Sequence, residues 1–424
     1  MVAQSNKGDT VLVLGAGVAG VVLAYYLARR GFRVTVLDEG HEVATGASRA
    51  NGGLISPGFS EPWSYPGLPM KLLGWIGKED SPFLVRPTSL PGLTGWGIRF
   101  LRNCNETRWR RGFRTNMLFS LFSQRELKRL VTEAGIQCDR RENGSIKLFP
   151  EPSELDHAVR EAEILSGDGL VYERLSPAEC VERVPALESR AGHYAGGLYF
   201  PGDECCDSQK LTSEFARLAK DAGVEFRLGT KITGIIAKGS RIERVTTDAG
   251  DMGADRYVVC LGAMSGRFVR PLGIGLPVYP VKGYSVTFSA GHWDEKPTLP
   301  VIDESLHVGM GPLGERMRIA GFAEFTGFDT ETTRARCDAL IRVITTLFPA
   351  LGAEHVIDRW AGLRPVTPDG QPVLGSSRYA NLFFDTGHGP LGVNFACGSA
   401  ATVSAVIAGE EPEIDIEPYA VQRF

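Results

Sequence analysis

The sequence lacks the excess of basic residues that is typical of nucleic-acid-binding proteins. Its 424 residues include 46 Lys and Arg against 50 Asp and Glu, which gives a formal net charge of -4. Neutralising a phosphate backbone requires clustered basic side chains. We therefore expect no nucleic-acid partner.

The eight cysteines include no C-x-x-C pair, a pattern that suits a reducing compartment better than a disulfide framework or a zinc site. Cys205 and Cys206 are adjacent, and adjacent cysteines are awkwardly placed to form a disulfide with each other, so we expect both to be structural. The histidines show no spacing typical of metal ligands. The sequence therefore predicts no metal site.

Long apolar runs are also missing. No stretch of eighteen apolar residues occurs, and the first ten residues, MVAQSNKGDT, have no apolar core. The sequence thus predicts neither a membrane-spanning helix nor a signal peptide, and we expect a cytoplasmic protein, with contact to the inner membrane left open. With 43% hydrophobic and 23% charged residues, the composition is that of a globular protein of one large or two smaller domains.

The clearest motif lies near the start of the chain, where an apolar strand, a glycine-rich turn, a helix and a second strand ending on Asp38 follow one another. Gly15, Gly17 and Gly20 have G-x-G-x-x-G spacing. Gly15 permits the tight turn, Gly17 lets backbone N–H groups approach a pyrophosphate, and Gly20 lets the helix pack closely. The helix N-terminus attracts phosphate, and Asp38 is placed to bind the ribose hydroxyls. This unit predicts a dinucleotide site.

A second stretch rich in small residues lies between Gly46 and Gly58. Ser48, Asn51 and Gly53 within it bring main-chain amides and short polar side chains together. Such a loop suits a flat or phosphorylated ligand, and an ordinary surface loop is the alternative interpretation.

Residues 62–112 contain Trp63, Trp75 and Trp96 among many Pro, Leu and basic residues. This mixture does not predict one regular element. Two interpretations stay open: a packed excursion over a substrate domain, or a surface that rests in a membrane interface through aromatic and basic anchors.

Periodicity and helix-start residues predict further helices at 114–135, 153–165, 175–187, 208–222, 330–347 and 395–407. Gly309, Gly311 and Gly314 repeat the G-x-G-x-x-G spacing, but the flanking residues alternate as in strands, so we predict a hairpin there. No second nucleotide turn, and hence no nicotinamide site, is indicated.

Near the C-terminus, the segment NLFFDTGHGPLG predicts a strand and a glycine-bearing turn that opens the last helix. The N-terminus of such a helix can stabilise the negative charge that develops on a reduced flavin. The predicted turn contains Gly387, Gly389 and Gly392.

Taken together, these segments resemble the FAD-dependent amine and amino-acid oxidoreductases of the D-amino-acid oxidase superfamily, and specifically the D-amino-acid dehydrogenase small-subunit family. The resemblance covers nearly the whole chain and is weakest over residues 62–200. It is carried by VLGAGVAGVVLAYYLARRGFRVTVLD at the front, SRANGGLISPG at 48–58, PGDE at 201–204, VYPVKGYS at 278–285, and GLRPVTPDGQPVLG with TGHGPLGVNFACGS at 362–399.

The resemblance implies an FAD site drawn from separate parts of the chain. Its implied cofactor-binding residues are Gly15, Gly17, Gly20 and Asp38 at the ADP half, Ser48, Asn51 and Gly53 beside the pyrophosphate and flavin, and Gly262, Gly387, Gly389 and Gly392 at the later strand end and turn.

The resemblance also implies catalytic residues. Arg364 matches an arginine that clamps the substrate carboxylate in related amino-acid oxidases, with a structural pair between Arg364 and Asp369 as the alternative. Tyr284 lies on a strand that lines the site in the superfamily. His388 is a candidate base, or else packs on the flavin face.

The implied reaction is oxidation of a D-amino acid, or of a cyclic D-imino acid such as a D-proline or hydroxyproline derivative, with electrons passed to a quinone or another carrier. An oxygen-using glycine or sarcosine oxidase-like enzyme, a flavin subunit of a heteromeric dehydrogenase, and a binding protein without redox chemistry are alternatives. Pro390 and Val393-Asn394 replace the Thr and Trp-Thr of the family pattern, so the substrate's side-chain pocket is not defined. Self-association or a hetero-oligomer also stays open.

The implied fold class is α/β: a Rossmann-like FAD-binding domain with an inserted α+β substrate domain, in which an antiparallel sheet is accompanied by helices. We predict that residues 1–62, 204–268 and 355–424 form the FAD-binding domain. Residues 63–203 and 269–354 are predicted to form the substrate-binding domain.

Overall fold

The structure is a computed structural model that describes residues 8–75 and 81–424. Residues 1–7, for which no signal peptide is predicted, and residues 76–80 of the Trp-rich region lie outside the described residues, as does the side chain of Trp75.

Elements are numbered in chain order. Helices α1 to α10 span Val18–Arg29, Leu68–Trp75, Leu90–Asn103, Glu106–Ala134, Pro152–Ser166, Pro177–Arg183, Ser208–Asp221, Ser265–Val269, Arg334–Leu347 and Gly392–Ala408. Strands β1 to β20 span Thr10–Leu14, Arg33–Asp38, Leu54–Ile55, Phe83–Val85, Ser145–Phe149, Glu173–Leu175, Gly196–Phe200, Glu204–Cys205, Glu225–Leu228, Ile232–Lys238, Arg241–Thr247, Gly250–Met252, Arg256–Val259, Tyr279–Ser289, Val301–Asp303, Val308–Leu313, Arg316–Phe325, Val356–Val366, Val373–Ser376 and Leu382–Thr386.

A six-stranded sheet of order β19-β20-β13-β1-β2-β9 joins the two ends of the chain. Its pairings are parallel except for the antiparallel edge strand β19. Helix α1 packs against α10 and α7. The apolar residues of β1, from Val11 to Leu14, are fully buried, as the sequence predicts for a central parallel strand. This part of the fold is the predicted Rossmann-like unit.

A nine-stranded, mainly antiparallel sheet forms the other half, in the order β18-β14-β17-β16-β15-β5-β7-β6 with β4 paired to β17. Its two faces differ. Val286 of β14 belongs to an apolar core that includes residues of α9, whereas Gly283, three residues earlier on the same strand, lines a cavity. Strand alternation therefore places the helix-covered core on one face and open space on the other.

The large sheet also takes β18 from the segment 355–424, which the sequence assigns wholly to the FAD-binding domain. The remaining strands of that segment, β19 and β20, belong to the six-stranded sheet. The C-terminal segment therefore connects both halves of the molecule.

The Trp-rich region is more regular than the sequence indicates. It forms α2, β4 and α3, and α4 begins at Glu106 rather than near residue 114, because the side chain of Asn105 caps its N-terminus. Trp96 is buried and its indole N–H donates to the Val366 carbonyl at 3.0 Å. Trp96 is therefore packed inside the protein, which agrees with the first of the two interpretations of this region.

Other predicted elements are present with shifted ends. Helix α9 begins at Arg334, four residues after the predicted start, and α10 begins at Gly392, three residues before it. The segment at Gly309 is the predicted hairpin: β16 and β17 pair in antiparallel fashion, and Gly314 at the turn has φ +63°. Cys205 and Cys206 are both buried and free of disulfides.

Within the described residues, one helix is long and apolar enough to cross a membrane, at Gly389–Ala408, with a mean hydropathy of 1.6. About 78% of this segment is buried inside the protein, where α10 packs between α1 and α4. Its apolar character is explained by this central position.

Candidate active site

One cavity of about 1770 Å³ extends from the six-stranded sheet to the open face of the large sheet. The first glycine turn, at Gly15 to Ala19, and the last, at Gly389 to Asn394, both line it. The N-termini of α1 and α10 therefore meet at the same cavity, as the sequence predicts. Two helix N-termini that converge in this way favour a ligand with negative charge.

The glycines of the first turn are required by close contacts. A Cβ on Gly15, where φ is +111°, would lie 2.5 Å from the Cys260 carbonyl oxygen, and a Cβ on Gly20 would lie 2.0 Å from the Gly15 carbonyl oxygen. Gly17 differs, because its Cβ would contact only Ser48 Oγ, at 3.4 Å. The absence of a side chain at Gly17 leaves space in the cavity beside the N-terminus of α1. Gly20 does not line the cavity, and its role is to let α1 pack closely against the turn.

Asp38 lines the cavity at the end of β2. Its carboxylate accepts hydrogen bonds from the backbone N–H groups of Ala16 and Gly40, each at 2.7 Å. The carboxylate thereby fixes the glycine turn and the following loop against each other. Binding of the ribose hydroxyls by Asp38 stays a prediction.

The loop after β2 also meets the first turn. Ser48 Oγ accepts from the Val18 N–H at 3.0 Å, and Asn51 Oδ1 accepts from the Gly53 N–H at 2.8 Å. Ser48 and Asn51 line the cavity, but Gly53 does not. A Cβ on Gly53, with φ +74°, would stand 2.1 Å from the Cys206 carbonyl oxygen, so this glycine is required by the neighbouring backbone.

Gly262, which follows β13, and Gly389 and Gly392 of the C-terminal turn line the cavity. Gly387 does not line it, and its φ of +77° instead makes the bend. His388 is buried, with Nε2 2.9 Å from Ser399 Oγ. The same Nε2 lies 3.2 Å from Asp385 Oδ1. Proton transfer by His388 stays a prediction.

Arg364 on β18 lines the cavity without an acidic partner among the described residues. Its guanidinium donates to the carbonyl oxygens of Phe322 at 2.6 Å and Gly321 at 3.4 Å, and lies 5.5 Å from the Trp63 ring centroid. Asp369, the alternative partner, instead accepts from Arg423 at 2.7 Å.

Burial lowers the pKa of Arg364 to about 10, so the guanidinium is still charged at neutral pH. A half-buried cation whose hydrogen-bond partners among residues 8–75 and 81–424 are carbonyl oxygens favours an incoming carboxylate, which the planar fork can bind through two hydrogen bonds. This arrangement fits the predicted carboxylate clamp.

Tyr284 contributes to the cavity wall, but its hydroxyl is engaged elsewhere. It donates to Glu324 Oε2 at 2.5 Å and lies 3.1 Å from Thr333 Oγ1. Burial and the Glu324 carboxylate raise the pKa of Tyr284 well above its usual value. The contacts therefore tie Tyr284 to the core below the sheet, and its catalytic role stays a prediction.

Several lining residues are missing from the sequence interpretation because no local motif marks them. Examples at the FAD half are Asp385 and Arg267, and examples at the other half are Glu61, Lys147 and Glu304. Asp385 precedes the glycine turn by two residues, which is the one sequence feature that points to it. Lys147 on β5 and Glu304 directly after β15 are brought together by strand pairing, whereas Arg267 lies on α8 and Glu61 lies outside the strands.

The FAD dependent oxidoreductase family matches residues 10–406. The chain belongs to this family. It is accordingly an enzyme with an FAD-binding fold, and its cofactor is FAD. Among its relatives, the D-amino acid dehydrogenases of Rhizorhabdus wittichii and Agrobacterium fabrum are 41% and 40% identical over 414 residues each. Those alignments cover 98% of this chain and 100% and 99% of the two relatives.

Solved structures with the same fold include L-proline dehydrogenase from P. horikoshii, with a TM-score of 0.78 and 20% identity, covering 99% of this chain and 98% of the other. Glycine oxidase from Geobacillus kaustophilus has a TM-score of 0.75 and 24% identity, covering 98% and 99%. Both structures are similar to this chain in their fold.

The residues present fit FAD on two observations. The room beside Gly17 lies at the N-terminus of α1, where a pyrophosphate is favoured. In addition, the fully buried Asp385 at the cavity wall has one carboxylate oxygen, Oδ2, without a hydrogen-bond partner in the described part of the chain, while its Oδ1 lies 3.2 Å from His388 Nε2. A free acceptor of this kind suits a ligand with hydroxyl groups, and the ribityl chain of FAD is one.

Proposed function

We propose that this enzyme oxidises a D-amino acid, or a cyclic D-imino acid such as a D-proline derivative, and passes the electrons to a quinone or another carrier. The observation that carries the proposal is the cationic Arg364, which has no acidic partner in the part of the chain that the structure describes, in the same cavity as the two helix N-termini. The D configuration and the dehydrogenase activity are supported by the names of the relatives at about 40% identity.

The chain's main contribution is orientation. Arg364 binds the substrate carboxylate, and the Trp63 ring beside it limits where the rest of the substrate lies. The chemistry that FAD supplies is acceptance of a hydride from Cα. The substrate amine must be neutral for its lone pair to expel that hydride, and the resulting imine is hydrolysed to a 2-oxo acid unless it is cyclic.

We place the remaining site residues around the cofactor that accepts the hydride. The turns at Gly15 to Gly20 and Gly387 to Gly392 hold the cofactor through backbone N–H groups, and His388 packs beside it. Proton transfer by His388 and a catalytic role for Tyr284 are the weaker assignments, since Ser399 and Glu324 already engage these side chains.

Anaerobic mixing of the purified yellow enzyme with matched D- and L-amino acids, D-proline, glycine and sarcosine tests the proposal. Flavin bleaching by D-amino acids, and slower or no bleaching by their L-isomers, is expected. Bleaching by L-isomers alone contradicts the proposed stereochemistry. A colourless preparation that binds no added FAD contradicts the cofactor assignment.

The electron acceptor is tested separately. In air, a dehydrogenase turns over rapidly with an added quinone or dye and forms little hydrogen peroxide. Peroxide formed in proportion to substrate identifies the oxidase alternative. Stoichiometric partner chains in a pull-down, together with no dye reduction by the isolated chain, identify the heteromeric alternative.

Contact with a membrane surface is proposed through α3. Ile98 and Leu101 are exposed, at 49% and 51%, and Arg99 and Arg102 beside them are exposed and basic. An exposed apolar face flanked by arginines suits an anionic lipid surface.

Sedimentation with vesicles that contain anionic lipid tests this surface. Wild type is expected to co-sediment, and Ile98→Asp with Leu101→Asp is expected to stay in the supernatant. Ile164→Asp, at an exposed apolar residue of α5, is the matched control. Equal sedimentation of all three proteins contradicts the surface assignment.

We further propose the division into FAD-binding segments 1–62, 204–268 and 355–424 and substrate-binding segments 63–203 and 269–354. The two sheets support it, with β18 as the exception.

A further inference from the structure

At the part of the cavity wall formed by β5 and β15, two carboxylates share one ammonium group. Lys147 Nζ lies 2.5 Å from Glu61 Oε1 and 2.9 Å from Glu304 Oε1. All three residues line the cavity, and Lys147 also lies over the Phe59 ring. The cluster therefore carries one more negative than positive charge.

Neighbouring groups do not balance this charge. Burial lowers the pKa of His307, so its imidazole is neutral at neutral pH. Lys71 is exposed, and its ammonium lies 5.6 Å from the Tyr65 ring centroid rather than at ion-pair distance from either acid. Glu154, another lining residue, adds negative charge.

The ammonium group of Lys147 is positively charged at neutral pH. Burial works against it, but the carboxylates of Glu304 and Glu61 outweigh burial and raise its pKa. One oxygen of Glu61 remains buried without a hydrogen-bond partner in the described part of the chain. Buried, uncompensated negative charge is unfavourable, and a bound cation offsets it.

The cluster lies across the sheet from the carboxylate clamp. Strand pairing aligns Lys147 with Ile302, Ile302 with Gly309, and Gly309 with Ala320. Ala320 precedes Gly321, whose carbonyl accepts from Arg364. Three strand spacings separate these backbones, about 14 Å. Side chains that extend into the cavity shorten this distance to one that a long amino acid can bridge.

We propose that Glu61 and Glu304 form the subsite for the substrate's side chain and select amino acids with a cationic side chain, such as D-lysine or D-arginine. The inference rests on the proposed function, because it places the substrate carboxylate on Arg364. Lys147 holds the two carboxylates in place and sets the net charge of the subsite.

Binding of two isosteric probes to the FAD-loaded enzyme tests the subsite without turnover. Heptanoate has only the carboxylate for Arg364, and ε-aminocaproate has an ammonium in place of its terminal methyl group. We expect ε-aminocaproate to bind roughly tenfold or more tightly, as measured by perturbation of the flavin spectrum, because a charged hydrogen bond contributes about that much. Equal affinities would overturn the proposal.

A charge series gives the second measurement. Glu61→Gln and Glu304→Gln each bring the cluster to neutrality, and the double variant leaves one positive charge. The ratio of kcat/KM for D-lysine to that for D-norleucine should fall at each step and favour D-glutamate in the double variant. Glu182→Gln, an exposed acid outside the cavity lining, is the control and should keep the wild-type ratio.

An unchanged ratio across the series would overturn the subsite. If D-norleucine bleaches the flavin faster than D-lysine in wild type, the subsite is wrong and the proposed function stands. If no D-amino acid bleaches the yellow enzyme, the proposed function itself fails. Should a variant not fold, the two probes on wild type decide the question.

Discussion

The guanidinium of Arg364 lies against Gly283 of the neighbouring strand, where a Cβ would stand 2.2 Å from Arg364 Cζ. The absent side chain at Gly283 therefore makes the space in which the arginine reaches across β14 to the carbonyls of β17. The position of the carboxylate clamp therefore depends on a neighbouring residue that has no side chain.

Gly283→Ala should move Arg364 and weaken substrate binding. We expect KM to rise roughly tenfold while flavin content is kept, since one or two charged hydrogen bonds are lost or misaligned. Steady-state kinetics with a D-amino acid measure this. Gly275→Ala, where a Cβ meets no heavy atom within 4 Å, is the control, and equal KM values for both variants contradict the prediction.

Arg364→Lys should keep the positive charge but lose the planar fork. We expect a tenfold to hundredfold loss in the rate of anaerobic flavin bleaching at low substrate, with full yellow colour. Arg359→Lys, a partly exposed arginine on the same strand, should behave as wild type. Bleaching of Arg364→Lys at the wild-type rate would show that another residue binds the carboxylate.

Gly17→Val should remove the cofactor without unfolding the protein. The protein contacts tolerate a Cβ there, at 3.4 Å from Ser48 Oγ, so the added branches intrude on the space beside the helix N-terminus. We expect loss of most visible flavin absorbance per protein, with cooperative thermal unfolding retained. Gly46→Val, at an open position of the same cavity, should retain more flavin, and a fully yellow Gly17→Val protein would exclude this site for the pyrophosphate.

Asp203 should make stability depend on pH. Burial raises its pKa from 3.8 to about 7, although Ser145 and Ser56 donate to it. Because the folded state holds this proton more tightly than the unfolded state, the contribution is fully present below pH 4 and is lost as pH rises to about 7. The loss is at most roughly 4 kcal/mol.

Asp203→Asn should therefore flatten the pH dependence of the unfolding free energy between about pH 4 and 7. Denaturant unfolding at a series of pH values measures it. Asp294→Asn, at an exposed residue, should keep the wild-type profile. A variant with the same pH slope as wild type would contradict the raised pKa.

Both nucleotide-facing turns are predictable from local sequence, because strand, glycine spacing and helix lie within a few residues of each other. Positions such as Gly15 and Gly389 follow from that pattern alone. The role of Arg364 is predictable only from the family resemblance. Its position at the cavity arises from the pairing of β14, β17 and β18, which no local sequence pattern indicates.

The Trp-rich region is not predictable in the same way. Proline and three glycines interrupt the apolar period of α3, and its helical form depends on Trp96 and Phe100 packing onto the large sheet. The cluster at Lys147 is not predictable from local sequence either, since Lys147 and Glu304 meet through the β5–β15 pair and Glu61 joins them from a distant loop.

Strand β20 lies beside β13, and β13 lies beside β1, so the predicted flavin site is completed only by the segment that follows β18. A nascent chain synthesised only as far as β18 contains the N-terminus of α1 but not that of α10. We therefore expect FAD to bind after α10 has been synthesised, so that the yellow colour reports a chain in which both glycine turns have folded.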